Sequence, residues 1–259
     1  MLKMLGSLIL FVLMPVVSLA CSITANDKVD GRKCIDVGGY QLYAHITGAS
    51  GPTVIFDAGL GDDSTVWKTV TSQVAAFAHI VVFDRAGLGK SDSKPGNGPI
   101  SAQDSVDALN ALLKKENIKP PYILVGHSRG GLNMQLFAQE HPTEVTGMVL
   151  IDSVSRNQTI HDPAPLKTSP YYREAIAFDE SRIQISNAGN FPAIPLIILT
   201  ATNHHQGETY EKLWQTWQKE MVRLSPKGTQ IFAYGSDHYI QKQQPQLVVD
   251  AIYTIIHRE

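Results

Sequence analysis

From residue 37 to residue 256 the chain alternates short apolar runs with longer stretches in which apolar residues recur every three or four positions. The runs Thr53-Val54-Ile55-Phe56, Ile80-Val81-Val82-Phe83, Tyr122-Ile123-Leu124-Val125, Met148-Val149-Leu150-Ile151 and Leu196-Ile197-Ile198-Leu199 are short and nearly unbroken. They predict strands covered on both faces, which is the condition of a parallel sheet. Thr229–Tyr234 predicts the last strand, and Val37–His45 predicts a strand pair around Gly38-Gly39. Ser101–Glu116 predicts a helix that Ser101 can cap, with Val106, Leu109, Leu112 and Leu113 at helical spacing. Leu132–Gln139 predicts another, stopped near His141-Pro142. Such alternation defines an α/β fold with a mainly parallel central sheet flanked by helices on both faces. The segment 153–193 interrupts it. Pro163, Pro165 and Pro170 make its first half irregular, and Tyr171–Ser186 predicts a helix. Because the core pattern resumes afterwards, the segment reads as a short lid insertion.

The N-terminus follows a different pattern. Residues 1–20 carry Lys3, the apolar run Leu8–Met14, Pro15, and small residues Ser18 and Ala20, which is the layout of a secretory signal peptide. The run is too short for a membrane span, which needs about twenty residues. Export to the periplasm or the medium is therefore expected, with residues 21–259 forming the folded domain. Two readings of Cys21 follow. It can pair with Cys34, closing a loop worth nominally ~3 kcal/mol in the chain-entropy model, in the oxidising surroundings that export implies. Alternatively, Val17-Ser18-Leu19-Ala20-Cys21 loosely resembles a lipobox, with Cys21 as a lipid anchor. Membrane attachment is expected only in that second case.

Composition narrows the function classes. Hydrophobic residues make up 43% of 259 and charged residues 18%, so wholesale disorder is excluded. Lys and Arg number 22 against 24 Asp and Glu, which leaves no strongly basic surface for nucleic acid. Two cysteines cannot build a four-Cys zinc site, and the adjacent His204-His205 face different ways, so no metal and no cofactor is expected.

The chemistry concentrates at Gly126-His127-Ser128-Arg129-Gly130-Gly131, between a buried strand and a helix. A serine there sits on a tight, strained turn that projects its hydroxyl above the sheet, and flanking glycines let strand and helix approach. The Arg129 N–H, at the helix start, would point into the same site. A serine hydroxyl needs a base. His238, in Gly235-Ser236-Asp237-His238 just after the last strand, is placed to swing over the C-terminal edge of the sheet. His45, His79, His127, His141 and His257 are placed less well.

In these features the chain resembles the α/β-hydrolase superfamily over nearly all of residues 37–256. The resemblance rests on the turn Ala58-Gly59-Leu60-Gly61, the turn Asp84-Arg85-Ala86-Gly87-Leu88-Gly89-Lys90-Ser91, the elbow at Ser128, and His238 with Ile240 and Gln241 behind it. It implies an oxyanion hole from the backbone N–H groups of Leu60 and Arg129. Ala58 stands where many members carry a histidine, so a side chain that often buttresses this loop is missing. The glycines of the second turn read as backbone geometry, not as a phosphate cradle.

The resemblance leaves the triad acid open. The position after Leu196–Leu199 that often holds aspartate is Asn203, which carries no charge. Some members place the acid one core strand earlier, where this chain has Asp152; the order Ser128, Asp152, His238 is then the family's order. Glu208 is the reserve, and Asp237 adjoins the histidine too closely. The expected function is an exported serine hydrolase cleaving a small or medium carboxylic ester, thioester or lactone through an acyl-enzyme on Ser128. The alternatives are a non-catalytic binding protein that keeps the fold, and a peptidase or cofactor-free haloperoxidase of the same fold. Tyr171, Tyr172, Phe178 and Ile183 would line an apolar pocket under the lid, and Trp214 and Trp217 read as core.

Overall fold

The computed structural model describes residues 21–159 and 163–258. The signal-peptide reading falls outside the described residues. Eight strands form one sheet: β1 (Arg32–Asp36), β2 (Gln41–Gly48), β3 (Thr53–Asp57), β4 (His79–Phe83), β5 (Tyr122–His127), β6 (Val145–Ile151), β7 (Leu196–Ala201) and β8 (Gly228–Ala233). Their order is β1-β2-β4-β3-β5-β6-β7-β8. The first two are antiparallel to their neighbours, and β4, β3, β5, β6, β7 and β8 run parallel. The helices are α1 (Ala25–Val29), α2 (Lys68–Val74), α3 (Ala102–Lys115), α4 (Arg129–Glu140), α5 (Tyr172–Ala175), α6 (Phe178–Asn187), α7 (Glu208–Val222), α8 (Ile240–Gln243) and α9 (Pro245–His257).

Each central strand divides its side chains between two cores, which is why its sequence is apolar without a break. Ile55, Leu124, Leu150 and Ile198 join Leu109, Leu112, Leu132 and Phe137 of α3 and α4 on one face. Val54, Phe56, Ile123, Val125, Val149 and Ile151 join Val70 and Val74 of α2 and Val248 and Ile252 of α9 on the other. Ser101 caps α3 in a reciprocal box with Asp104, as its sequence predicts.

The first hairpin departs from the expected strand pair. Its strands are Arg32–Asp36 and Gln41–Gly48, and the residues between form the turn. Asp36 Oδ1 accepts from the N–H groups of Gly38 and Gly39, and both glycines have positive φ. The outer strand is polar because it is an edge, so its sequence carries no apolar run. The segment between β6 and β7 also departs: two helices, α5 and α6, stand where one was expected. It is fastened to the core. Ser181 Oγ accepts from Ala102 N at 2.9 Å, and Gln139 Nε2 donates to the carbonyls of Ile185, Ala188 and Gly189.

Cys21 and Cys34 are joined in a disulfide that ties the first described residue to β1. A sulfur in this bridge has no valence left for the thioether of a lipid anchor. Asp92 reinforces the junction, accepting from Cys21 N through one oxygen and from Gln41 N through the other.

Candidate active site

Because β3, β5, β6, β7 and β8 are parallel, the turns that follow them gather along one edge of the sheet, where open α/β folds hold their ligands. Ala58–Gly61, Ser128, Asp152, Asn203-His204 and His238 all lie in those turns.

Ser128 links β5 to α4 with φ 51° and ψ −120°, a left-handed conformation rare for a residue with a side chain. Such a conformation costs on the order of 1–3 kcal/mol and persists only where the surroundings enforce it. Here they do. Ser128 N donates to Ile151 O at 3.1 Å, and Ser128 O accepts from Val154 N at 3.1 Å. The glycines of the elbow are required by contact: a Cβ on Gly126 would lie 2.5 Å from Gly131 Cα, and one on Gly130 would lie 2.3 Å from Asp57 O.

Asp152 directly follows β6 in another positive-φ conformation, 42°, and its side chain is buried. Four donors converge on it. Oδ1 accepts from Ala201 N at 3.0 Å and from Trp214 Nε1 at 2.8 Å. Oδ2 lies 2.7 Å from His238 Nδ1 and 2.7 Å from His204 Nε2. Burial alone would raise the carboxyl pKa, but the hydrogen bonds from His204 and His238 outweigh it and hold the group well below the ordinary aspartate value. With Nδ1 of His238 committed to the carboxylate, Nε2 is the nitrogen left free to act as a base.

Thus the structure brings His238 to Asp152, not to the other acids weighed. Asp237 turns away to accept from Tyr239 N and Gln243 Nε2. Glu208 lies exposed at the start of α7, paired with Lys212. Asn203 donates its backbone N–H to Ser236 O, which fixes the β7 and β8 turns to each other.

His127, dismissed as a base in the sequence, steadies the one proposed. Its Nε2 lies 2.9 Å from His238 O, and the two rings are 4.6 Å apart between centroids. Burial, reinforced by the neighbouring His238, drives the His127 pKa well below 6.5, so the ring is neutral. Its Nε2 therefore carries the hydrogen and donates to the carbonyl. Trp214 also has a wider role than core packing, since its indole N–H is a ligand of Asp152.

The turn after β3 has its own support. Arg85 is buried; its Nη1 donates to Ala58 O at 2.7 Å and to Asp57 Oδ1 at 2.6 Å, and its Nη2 donates to Gly59 O at 2.7 Å. The far side of the guanidinium meets Glu174 of α5 at 2.6 and 2.9 Å, a bidentate pair. Burial opposes the charge of Arg85, yet Glu174 and Asp57 overcome it and raise its pKa. Arg85 thus takes the place of the buttress that Ala58 cannot supply. The arginine was visible in the second turn; its partner in the segment between β6 and β7, 89 residues on, was not. Tyr171 lies against the same turn, its ring 2.8 Å from where a Gly61 Cβ would sit. Ile183, expected in a pocket, is 60% exposed instead.

Leu60 is half-buried in this turn, and Arg129 opens α4. The Arg129 side chain points into the protein: Nη2 donates to Ile100 O at 2.9 Å, and Nε lies 3.9 Å from Glu174. As for metals, Asp152, His204 and His238 bring one ligand-type atom each within 4.8 Å of one another. Both nitrogens, however, sit at hydrogen-bond distance from one carboxylate oxygen, so the cluster is explained by a shared acceptor.

Comparison with known proteins agrees with this architecture. The family model described as alpha/beta hydrolase fold matches residues 52–248, and the chain belongs to that family. YqjL of Bacillus subtilis is 28% identical over 222 residues, covering 82% of this chain and 86% of that protein. Among solved structures, a thermophilic esterase from Thermogutta terrifontis superposes with a TM-score of 0.65 at 16% identity, covering 86% of this chain and 96% of the other. E-2-(acetamidomethylene)succinate hydrolase does so with a TM-score of 0.65 at 19% identity, covering 88% and 99%. At such identities these two structures share the fold. The chain is a hydrolase-fold enzyme by family.

Proposed function

We propose that the protein is an exported serine hydrolase that cleaves a small or medium carboxylic ester, thioester or lactone through an acyl-enzyme. The observation that carries the reading is the strained Ser128 at the elbow combined with the His238–Asp152 pair above the same sheet edge. In the first half-reaction Ser128 Oγ attacks the carbonyl carbon while His238 Nε2 takes the hydroxyl proton. Asp152 stabilises the imidazolium so formed. The backbone N–H groups of Leu60 and Arg129 meet the oxyanion, whose negative charge exists only after attack; each such donor is worth about 3–4 kcal/mol of transition-state stabilisation. The tetrahedral carbon then expels the alcohol or thiol, which takes the proton from His238. Water, activated by the same ring, hydrolyses the acyl-serine and restores the enzyme. The segment 153–193 acts as a lid, with Tyr171 beside the oxyanion turn. Export is supported by the signal-like residues 1–20 and by the Cys21–Cys34 bridge, since disulfides persist in oxidising compartments.

The test is Ser128→Ala assayed on short p-nitrophenyl esters and lactones, with circular dichroism as the folding control. Loss of turnover in a folded variant supports the reading, and unchanged turnover overturns it. Fluorophosphonate labelling separates the catalytic reading from a binding protein that keeps the fold, because only an activated serine reacts quickly.

A further inference from the structure

Asp152 serves two histidines, and the second is itself doubly bound. His204 Nε2 lies 2.7 Å from Asp152 Oδ2, and His204 Nδ1 lies 2.9 Å from Glu211 Oε2. The other Glu211 oxygen accepts from the His204 backbone N–H at 2.5 Å, so the glutamate grips the residue at two points. A neutral imidazole has one N–H and one lone pair. Between two carboxylates it would satisfy one and turn a lone pair towards the other. Only the imidazolium donates to both.

We propose that His204, held as an imidazolium by Glu211, is a positioning residue of this site: it is a cationic partner of Asp152 that keeps the carboxylate ionised and turned towards His238. The inference rests on the serine-hydrolase reading for its catalytic meaning, though not for its electrostatics.

The consequences follow from the geometry. The His204 and His238 rings are 6.2 Å apart between centroids. A permanent charge on the first therefore opposes protonation of the second, while Asp152, between them, attracts both. The other charged or titratable groups near the pair come from several elements. His127 from the end of β5 is neutral, and Asp62 from the turn after β3 and Lys242 from α8 lie within electrostatic reach of His238 and His127 respectively. Tyr239 contacts the His238 ring, and Tyr210 and Trp214 of α7 contact the His204 ring. None of these places a second cation against His204. Burial opposes a charge on His204, but the two carboxylates outweigh it and raise its pKa above 6.5.

The experiment is nuclear magnetic resonance titration of the wild-type protein labelled with 15N-histidine, which needs no turnover. Both His204 ring nitrogens are expected to keep protonated shifts at pH 7.5, and Glu211→Gln is expected to lower the pH at which they change. In His204→Gln, which retains a neutral donor but loses the charge beside Asp152, the acid limb of kcat/KM for an ester is expected to move to higher pH. A neutral His204 at pH 7.5 in the wild type, an outcome that no misfolded variant can blur, overturns the proposal. So does an acid limb of kcat/KM that stays put or moves to lower pH in His204→Gln. Failure of the serine-hydrolase reading would appear separately, as absent ester turnover and absent fluorophosphonate labelling with the ring titrations unaffected.

Discussion

Replacing Glu174 by glutamine tests how the segment between β6 and β7 holds the turn after β3. Around Glu174 the structure buries Arg85, Arg129 and Asp57, two cations and two anions in all, with Asn133 Nδ2 donating to Asp57 at 2.8 Å. Glutamine keeps the approximate shape of Glu174 but removes its charge, so one positive charge is left buried without compensation. It also presents an NH2 group where Arg85 offers only donors at 2.6 and 2.9 Å. Removing one partner of a buried ion pair typically costs about 3–5 kcal/mol. In a chain of this size 1 kcal/mol shifts Tm by roughly 2–4 °C, so a fall on the order of 10 °C is expected. Because Arg85 also holds Ala58 O and Gly59 O, ester turnover should drop through kcat more than through KM. Calorimetry and urea unfolding, with the exposed Glu208→Gln as control, measure the first effect, and steady-state kinetics the second. A Tm within about 2 °C of wild type would refute the claim that Glu174 neutralises a buried charge here.

Further expectations are more local. Asp152→Asn should lower ester turnover by about four orders of magnitude, because the amide cannot stabilise an imidazolium and favours the wrong tautomer; Asn203→Ala should leave kcat within a few-fold, and the reverse pattern in steady-state kinetics would relocate the acid. Trp214→Phe removes one hydrogen bond to Asp152 Oδ1 and should cost about 1–3 kcal/mol in urea unfolding. Reducing the Cys21–Cys34 bridge should lower unfolding free energy by nominally ~3 kcal/mol, read as the difference between urea curves with and without reductant. The raised His204 pKa gives a signed pH dependence. Its contribution is fully present below the ordinary 6.5 and is lost as pH rises through the folded value. The urea midpoint should therefore fall on the alkaline side of 6.5, and by less in Glu211→Gln.

Much of the frame was legible along the chain. The five unbroken apolar runs marked the buried strands because a strand covered on both faces must be apolar at every position. The glycines at 126, 130 and 131 marked the elbow because no Cβ fits there. Edge strand β1 was placed too late because an edge is polar and its sequence looks like a loop. The segment between β6 and β7 was read as one helix because its apolar spacing continues through the break between α5 and α6.

The sequence by itself determined the layer order of the fold, the position of Ser128 and the candidacy of His238, since these depend on local periodicity and on turns only small residues can make. Tertiary structure alone decided what surrounds them. It brought His204 and Trp214 to Asp152, Glu211 to His204, His127 to the carbonyl of His238, and Glu174 to Arg85. Those pairs span between 7 and 111 positions along the chain. A buried charge or N–H is satisfied by whichever partner packing delivers, and that choice has no periodicity to read. The candidate reacting groups could be named from the sequence, while their buried partners emerged only when the strand ends converged.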